Sequence, residues 1–251
     1  MRKFTSMAVA GILGLAGLLA AGASSASPIV FQTVSGATAG GNPVSASASF
    51  SLSGNMLQIV LTDSQPNPIT VAQLISGLSF TLSNGLSSGS LTSSSASFIT
   101  VNGGGTSTSD GSGSTSWLLQ SSTSGFNLCE ICANGINGAA GPAELIIGPP
   151  NGAGLYSAAN GSIAGNGPHN PFIDQSASYT LNIPGLGNSD TISSVLFRFG
   201  TTFGDVTSDG VCTDNCGGTS VPEPGALALF AAGLLGCALF NNRRRRAARQ
   251  S

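Results

Sequence analysis

Residues 44–52 read Val44-Ser45-Ala46-Ser47-Ala48-Ser49-Phe50-Ser51-Leu52, with apolar and hydroxyl side chains in strict alternation. Successive side chains of a strand point to opposite faces. A period of two therefore puts Val44, Ala46, Ala48, Phe50 and Leu52 on one face and the serines on the other. Ser53-Gly54-Asn55 supplies turn chemistry, and residues 56–62 return with Leu57, Ile59 and Leu61 on one side. Residues 44–62 are expected to form a β-hairpin with one buried face and one hydroxyl face.

Outward from this hairpin, short apolar runs predict further strands at 29–34, 78–82, 98–101, 117–120, 145–147, 179–183 and 195–199, with one helical turn at 71–75. Ser-, Gly- and Asn-rich stretches at 83–97, 102–116 and 148–168 separate them and read as loops. Many short strands joined by long Gly/Ser loops point to an all-β fold. The expected architecture is an antiparallel β-sandwich, jelly-roll-like, occupying residues 27–220.

Composition narrows the function. Only 7% of the 251 residues are charged, against about 25% in an ordinary soluble domain. Seven of the eight Lys and Arg residues lie in the first three or last nine positions. Between Pro28 and Ser220 stands one base, Arg198, against nine acids, a net charge of −8. Such a segment repels phosphate backbones, so no nucleic-acid partner is expected.

The basic residues frame two apolar runs. Arg2 and Lys3 precede the uncharged residues 7–21, and Ala21-Gly22-Ala23 and Ser24-Ser25-Ala26 both offer small residues for cleavage. That layout is a secretory signal peptide, residues 1–26, cut by signal peptidase between Ala26 and Ser27. At the other end Val221-Pro222-Glu223-Pro224-Gly225 leads into the apolar residues 226–240, then Asn241-Asn242 and Arg243, Arg244, Arg245 and Arg246. A helix over residues 225–240 would span about 24 Å, short against a hydrocarbon core of about 30 Å. One C-terminal transmembrane helix is nevertheless expected, with the arginines as a cytoplasmic stop-transfer signal. Two prolines around Glu223 hold the preceding segment extended and unable to join a sheet, a form that a protease can bind.

Pro222-Glu223-Pro224, a short apolar helix and a terminal arginine cluster together resemble a PEP-CTERM sorting signal, spanning residues 221–246. The resemblance implies that exosortase, a membrane-embedded transpeptidase-like enzyme of Gram-negative bacteria, recognises Pro222, Glu223 and Pro224 and cuts near them. It further implies a precursor held transiently in the inner membrane. The product would be secreted or displayed at the cell surface, often in bacteria that make exopolysaccharide and biofilm.

The exported segment holds little catalytic vocabulary. His169, the single histidine, lies in Gly167-Pro168-His169-Asn170-Pro171 and reads as a structured turn. No nucleophile motif accompanies the abundant serines. Cys129 and Cys132 are three apart, Cys212 and Cys216 four apart, and Cys237 lies in the apolar tail. Four cysteines allow three pairings, a zinc site or a redox site. Export favours structural disulfides, and two local bridges, Cys129–Cys132 and Cys212–Cys216, over crossed ones. Asp205, Asp209, Asp214 and Asn215 read as an acidic solvated linker, since their spacing matches no calcium motif. Glu130 and Glu144 show no acid–base pairing in sequence, and Asn160-Gly161-Ser162 is an isolated sequon. No catalytic residue, metal or cofactor is assigned. The expected role is a non-enzymatic structural or adhesive surface protein. A carbohydrate- or calcium-binding module is the alternative, and a secreted hydrolase stands behind both.

Overall fold

The computed structural model describes residues 27–123, 125–132, 135–136, 143–157, 161–204 and 206–217. The 44–62 hairpin forms as β4 (Ala46–Ser53) and β5 (Met56–Asp63), closed by a two-residue turn in which Gly54 takes a positive φ of 55°. Phe50, Leu57, Ile59 and Leu61 are fully buried, while the intervening serines keep partial solvent access.

Around it stand β1 (Ile29–Thr33), β6 (Ile75–Leu82), β7 (Ser90–Val101), β8 (Ser107–Gly113), β9 (Leu118–Ser122) and β10 (Gly125–Cys129). The chain continues with β13 (Ile146–Ile147), β14 (Phe172–Asn182), β15 (Ile192–Phe199) and β16 (Val206–Asp214). Two small ribbons stand apart, β2 (Thr38–Ala39) with β3 (Asn42–Pro43), and β11 (Ile131–Cys132) with β12 (Gly135–Ile136). A 3-10 turn at Val71–Gln73 sits where one helical turn is expected, capped by Thr70 and Gln73 in a reciprocal box.

Among the described residues the structure is all-β and nearly all antiparallel. Its architecture differs from the expected pair of stacked sheets. Twelve strands join one sheet, in the order β8-β7-β14-β5-β4-β1-β16-β15-β6-β10-β9, and β13 pairs with both β14 and β6. Because β1 and β16 link the two halves without a break, and β13 ties strands near opposite ends, the sheet comes round on itself in a barrel-like arrangement. Phe50 on β4 meets Phe80 on β6 across the interior at 5.5 Å between ring centroids. Phe80 in turn stacks on Phe126 of β10. Each such buried ring contributes about 1.5–3 kcal/mol by leaving water.

Two loop assignments need correction. The Ser-rich stretch 83–97 contains most of β7, and 102–116 contains β8, whose seven residues are all exposed. Residues 206–214, read as a linker, form β16, hydrogen-bonded between β1 and β15. The 148–168 stretch is irregular but packed. Tyr156 and Ile163 are buried against Leu74, Val101 and Phe172, and the Tyr156 hydroxyl donates to the Gly148 carbonyl at 3.0 Å. No helix among the described residues is long and apolar enough to cross a membrane. Residues 226–240, where that helix is expected, lie outside them, as do residues 1–26.

Candidate functional site

The two ends of the domain lie side by side. β1 begins as β16 ends, with Val30 opposite Asp214. Beyond that register the Asn215 side-chain amide donates to the Pro28 carbonyl at 2.9 Å. Ser27, the expected first mature residue, is exposed. Cys212 and Cys216 stand at disulfide distance, Cα–Cα 5.7 Å, where the chain leaves β16. Five residues separate Cys216 from Pro222, a stretch that spans at most about 20 Å fully extended. Both ends of the described domain thus issue from one place. Ala26, the Pro-Glu-Pro residues and Arg243 to Arg246 lie outside the described residues.

Compared with known protein families, residues 220–246 match the PEP-CTERM protein-sorting motif. The chain is a PEP-CTERM domain-containing protein. The match indicates exosortase-dependent, membrane-associated sorting of an exported bacterial protein. Comparison with curated proteins and with solved structures found no match.

Within the PEP-CTERM protein's exported domain, a cluster of polar groups around the buried Glu130 escaped the sequence reading. Glu130 follows β10 and Glu144 precedes β13, and Ser116 stands between them at the entry to β9. Ser116 Oγ lies 2.7 Å from Glu130 Oε2 and 2.8 Å from Glu144 Oε2, and the Ser116 backbone N–H donates to Glu144 Oε2 at 2.6 Å. The Trp117 indole N–H donates to the Glu144 carbonyl at 2.9 Å, and its ring packs on Tyr179 at 5.3 Å.

A hydroxyl carries one proton, so Ser116 cannot donate to both carboxylates. Burial pushes the Glu130 pKa up to about 7, against the Ser116 hydrogen bond that lowers it and with the nearby Glu144 charge that raises it further. The arrangement that satisfies both contacts has Glu130 protonated and donating to Ser116 Oγ, while Ser116 donates to Glu144 Oε2. Tyr179, fully buried, is held neutral chiefly by desolvation. Its hydroxyl interacts with that of Thr115, and neither makes a further hydrogen bond among the described residues.

Two carboxyl groups across a cleft suit glycoside hydrolysis, where they flank the bond to be broken. Here the Ser116 hydroxyl occupies the gap and Glu130 is 1% exposed. Through these bonds Ser116 joins the start of β9 to the segments flanking β10 and β13.

The remaining candidates separate. Cys129 and Cys132 stand 5.4 Å apart at Cα and are buried, whereas Cys212 is half-buried and Cys216 exposed. Loops of four and five residues close little chain entropy, so each bridge is worth about 2 kcal/mol. Replacing Cys212 and Cys216 together by serine is expected to lower the denaturation midpoint accordingly, read by urea unfolding with and without reductant. Reductant should abolish the difference between that variant and the wild-type protein at this bridge.

His169 ends a 3-10 turn, Gly167–His169, as the turn reading expects, and its neighbour Asn170 accepts from the Val101 N–H at 2.9 Å. Asp209 and Asp214 are exposed side chains of β16, not linker residues, and Asn215 is spent on Pro28. Asp205, Asn160 and Cys237 lie outside the described residues. No cluster of three metal-binding side chains occurs among the described residues.

Proposed function

We propose that residues 27–220 are exported as a non-enzymatic structural or adhesive component of an exopolysaccharide matrix in a Gram-negative bacterium. Signal peptidase cuts between Ala26 and Ser27. The apolar tail then parks the precursor in the inner membrane, and exosortase releases it through Pro222, Glu223 and Pro224 to the surface or the medium. The PEP-CTERM match over residues 220–246 carries this reading. A domain of low charge, with a dense apolar interior and hydroxyl-rich outer strands such as β7 and β8, supports the matrix role.

Intact mass of the protein from its native host tests it. Material beginning at Ser27 and lacking the apolar tail with Arg243 to Arg246 is expected. Replacing Pro222, Glu223 and Pro224 together by alanine should leave the precursor in the membrane fraction, with biofilm cohesion reduced. Mature protein that still carries Arg243 to Arg246 would overturn the sorting step.

A further inference from the structure

Arg198 is the only Lys or Arg between Pro28 and Ser220, in a segment with nine acids. It nevertheless makes no ion pair among the described residues. Its side chain is half-buried on β15, and its guanidinium carbon sits 4.6 Å from the ring centroid of Phe203, itself 37% exposed. Desolvation alone shifts its ionisation, downward, with no neighbouring charge contributing. A partly desolvated cation without a counter-charge is costly unless something anionic meets it.

The hydrogen bonds around it have a forced polarity. A guanidinium can only donate. Arg198 Nε donates to Ser79 Oγ at 2.9 Å, so Ser79 must turn its own proton elsewhere, and it donates to Asn127 Oδ1 at 2.5 Å. With Oδ1 thus taken, the Asn127 amide presents its NH2 outward. The relay ends in two donor groups, the terminal nitrogens of Arg198 and Nδ2 of Asn127, none of which has an acceptor among the described residues. Gly77 makes the arrangement possible, since a Cβ there would stand 3.3 Å from Arg198 Cδ and 3.3 Å from Cys129 Cβ. The arginine stem lies flat over the gap that glycine leaves.

We infer that Arg198, Ser79 and Asn127, with Phe203 beside them, form a binding site on the outer face of β15, β6 and β10 for the carboxylate of an acidic saccharide. A planar guanidinium fork matches a carboxylate bidentately, and an adjacent amide donor extends the match to a neighbouring sugar oxygen. Just along the same face, the Thr81 hydroxyl lies 2.6 Å from that of Ser193 and 2.8 Å from that of Ser194, in contacts open to the solvent. They offer both donors and acceptors to neutral sugar hydroxyls. A densely charged polyanion does not fit, because one cation faces a domain of net charge −8. This deepens the matrix reading by naming its partner, and it can fail separately: the sorting test reads termini, whereas this one reads binding.

The test is calorimetric titration of the purified full chain with a trisaccharide carrying one glucuronic acid and two neutral sugars, the corresponding neutral trisaccharide, sodium acetate and inorganic phosphate. Saturable binding of the acidic trisaccharide is expected, with the other three weaker by about tenfold or more. Arg198→Gln should weaken the acidic trisaccharide by about tenfold or more, and Arg198→Lys should fall between, since an ammonium cannot fork. Asn127→Asp keeps the acceptor for Ser79 but replaces the outward NH2 with a negative oxygen. It should abolish binding while leaving the unfolding midpoint in place, and it decides the matter if Arg198→Gln fails to fold. Equal binding of the neutral trisaccharide, tighter binding of phosphate, or undiminished binding by Asn127→Asp would each overturn the assignment.

Discussion

Raising the pH from 4 to 9 is expected to lower the unfolding free energy by about 3 kcal/mol through Glu130 alone. Its folded pKa of about 7 stands above the ordinary 4.5. The folded protein therefore holds a proton that the unfolded chain gives up. Stability from this group is complete below pH 4.5, falls as the pH climbs towards 7, and is lost above it. The loss has a structural meaning: above pH 7 two carboxylates face one another across a single serine hydroxyl. Glu130→Gln supplies an amide N–H to Ser116 Oγ at every pH and never ionises. The variant should be more stable than the wild-type protein at pH 8 and show a flatter slope between pH 4.5 and 7, measured by urea unfolding across the range. Asp63, also buried and raised well above its usual range by desolvation, contributes a slope of the same sign to both proteins, so their difference isolates Glu130. Parallel slopes for the two proteins would remove the shared-proton clasp.

The clasp was invisible in the sequence because it is not local. Glu130 and Glu144 are the only glutamates of the exported segment, but nothing in their spacing says that Ser116 arrives between them. The hairpin of β4 and β5 was legible because one face is buried and the other wet, which leaves alternation in the residues. β8 is exposed at all seven positions, so no apolar mark distinguishes Ser107–Gly113 from a loop. β16 failed for the opposite reason. It lies inside the sheet, and its inward positions run Val206, Ser208, Gly210 and Cys212, small in the middle because β15 fills the space there: a Cβ on Gly210 would meet Val195 Cβ at 2.9 Å and Phe197 at 3.2 Å. A strand whose neighbour supplies the core shows only a broken hydrophobic period of its own. The sorting tail could be read at once because its information is linear: a tripeptide, an apolar run and a charge cluster in order.

Gly148→Ala is expected to destabilise the domain by about 3 kcal/mol or more, because the added methyl has nowhere to go. A Cβ at 148 would lie 2.0 Å from the Gln65 carbonyl oxygen, 2.9 Å from its carbon and 3.0 Å from Asp63 Oδ1. Two of those atoms are backbone, and the backbone on both sides is pinned. The Asp63 carboxyl accepts from the Gln65 N–H at 2.9 Å, and the backbone of Gly148 favours its charged form. The Gly148 carbonyl accepts from Tyr156, and the Asn67 N–H donates to the Pro149 carbonyl at 2.7 Å. Relief of the clash must pull residues 63–67 away from 147–149. That separation loosens β13, whose Ile146 and Ile147 hold β14 to β6 and bring the sheet round on itself. Gly152→Ala is the matched control: its Cβ meets nothing within 4 Å and its φ is not positive, so it should be neutral or slightly stabilising through the unfolded chain. Urea unfolding of the two variants should separate them by most of the predicted cost, with hydrogen exchange at Ile173 and Ile75 accelerated only in Gly148→Ala. If the two variants unfold together, the seam yields to a methyl group, and a two-residue strand is not what closes this sheet.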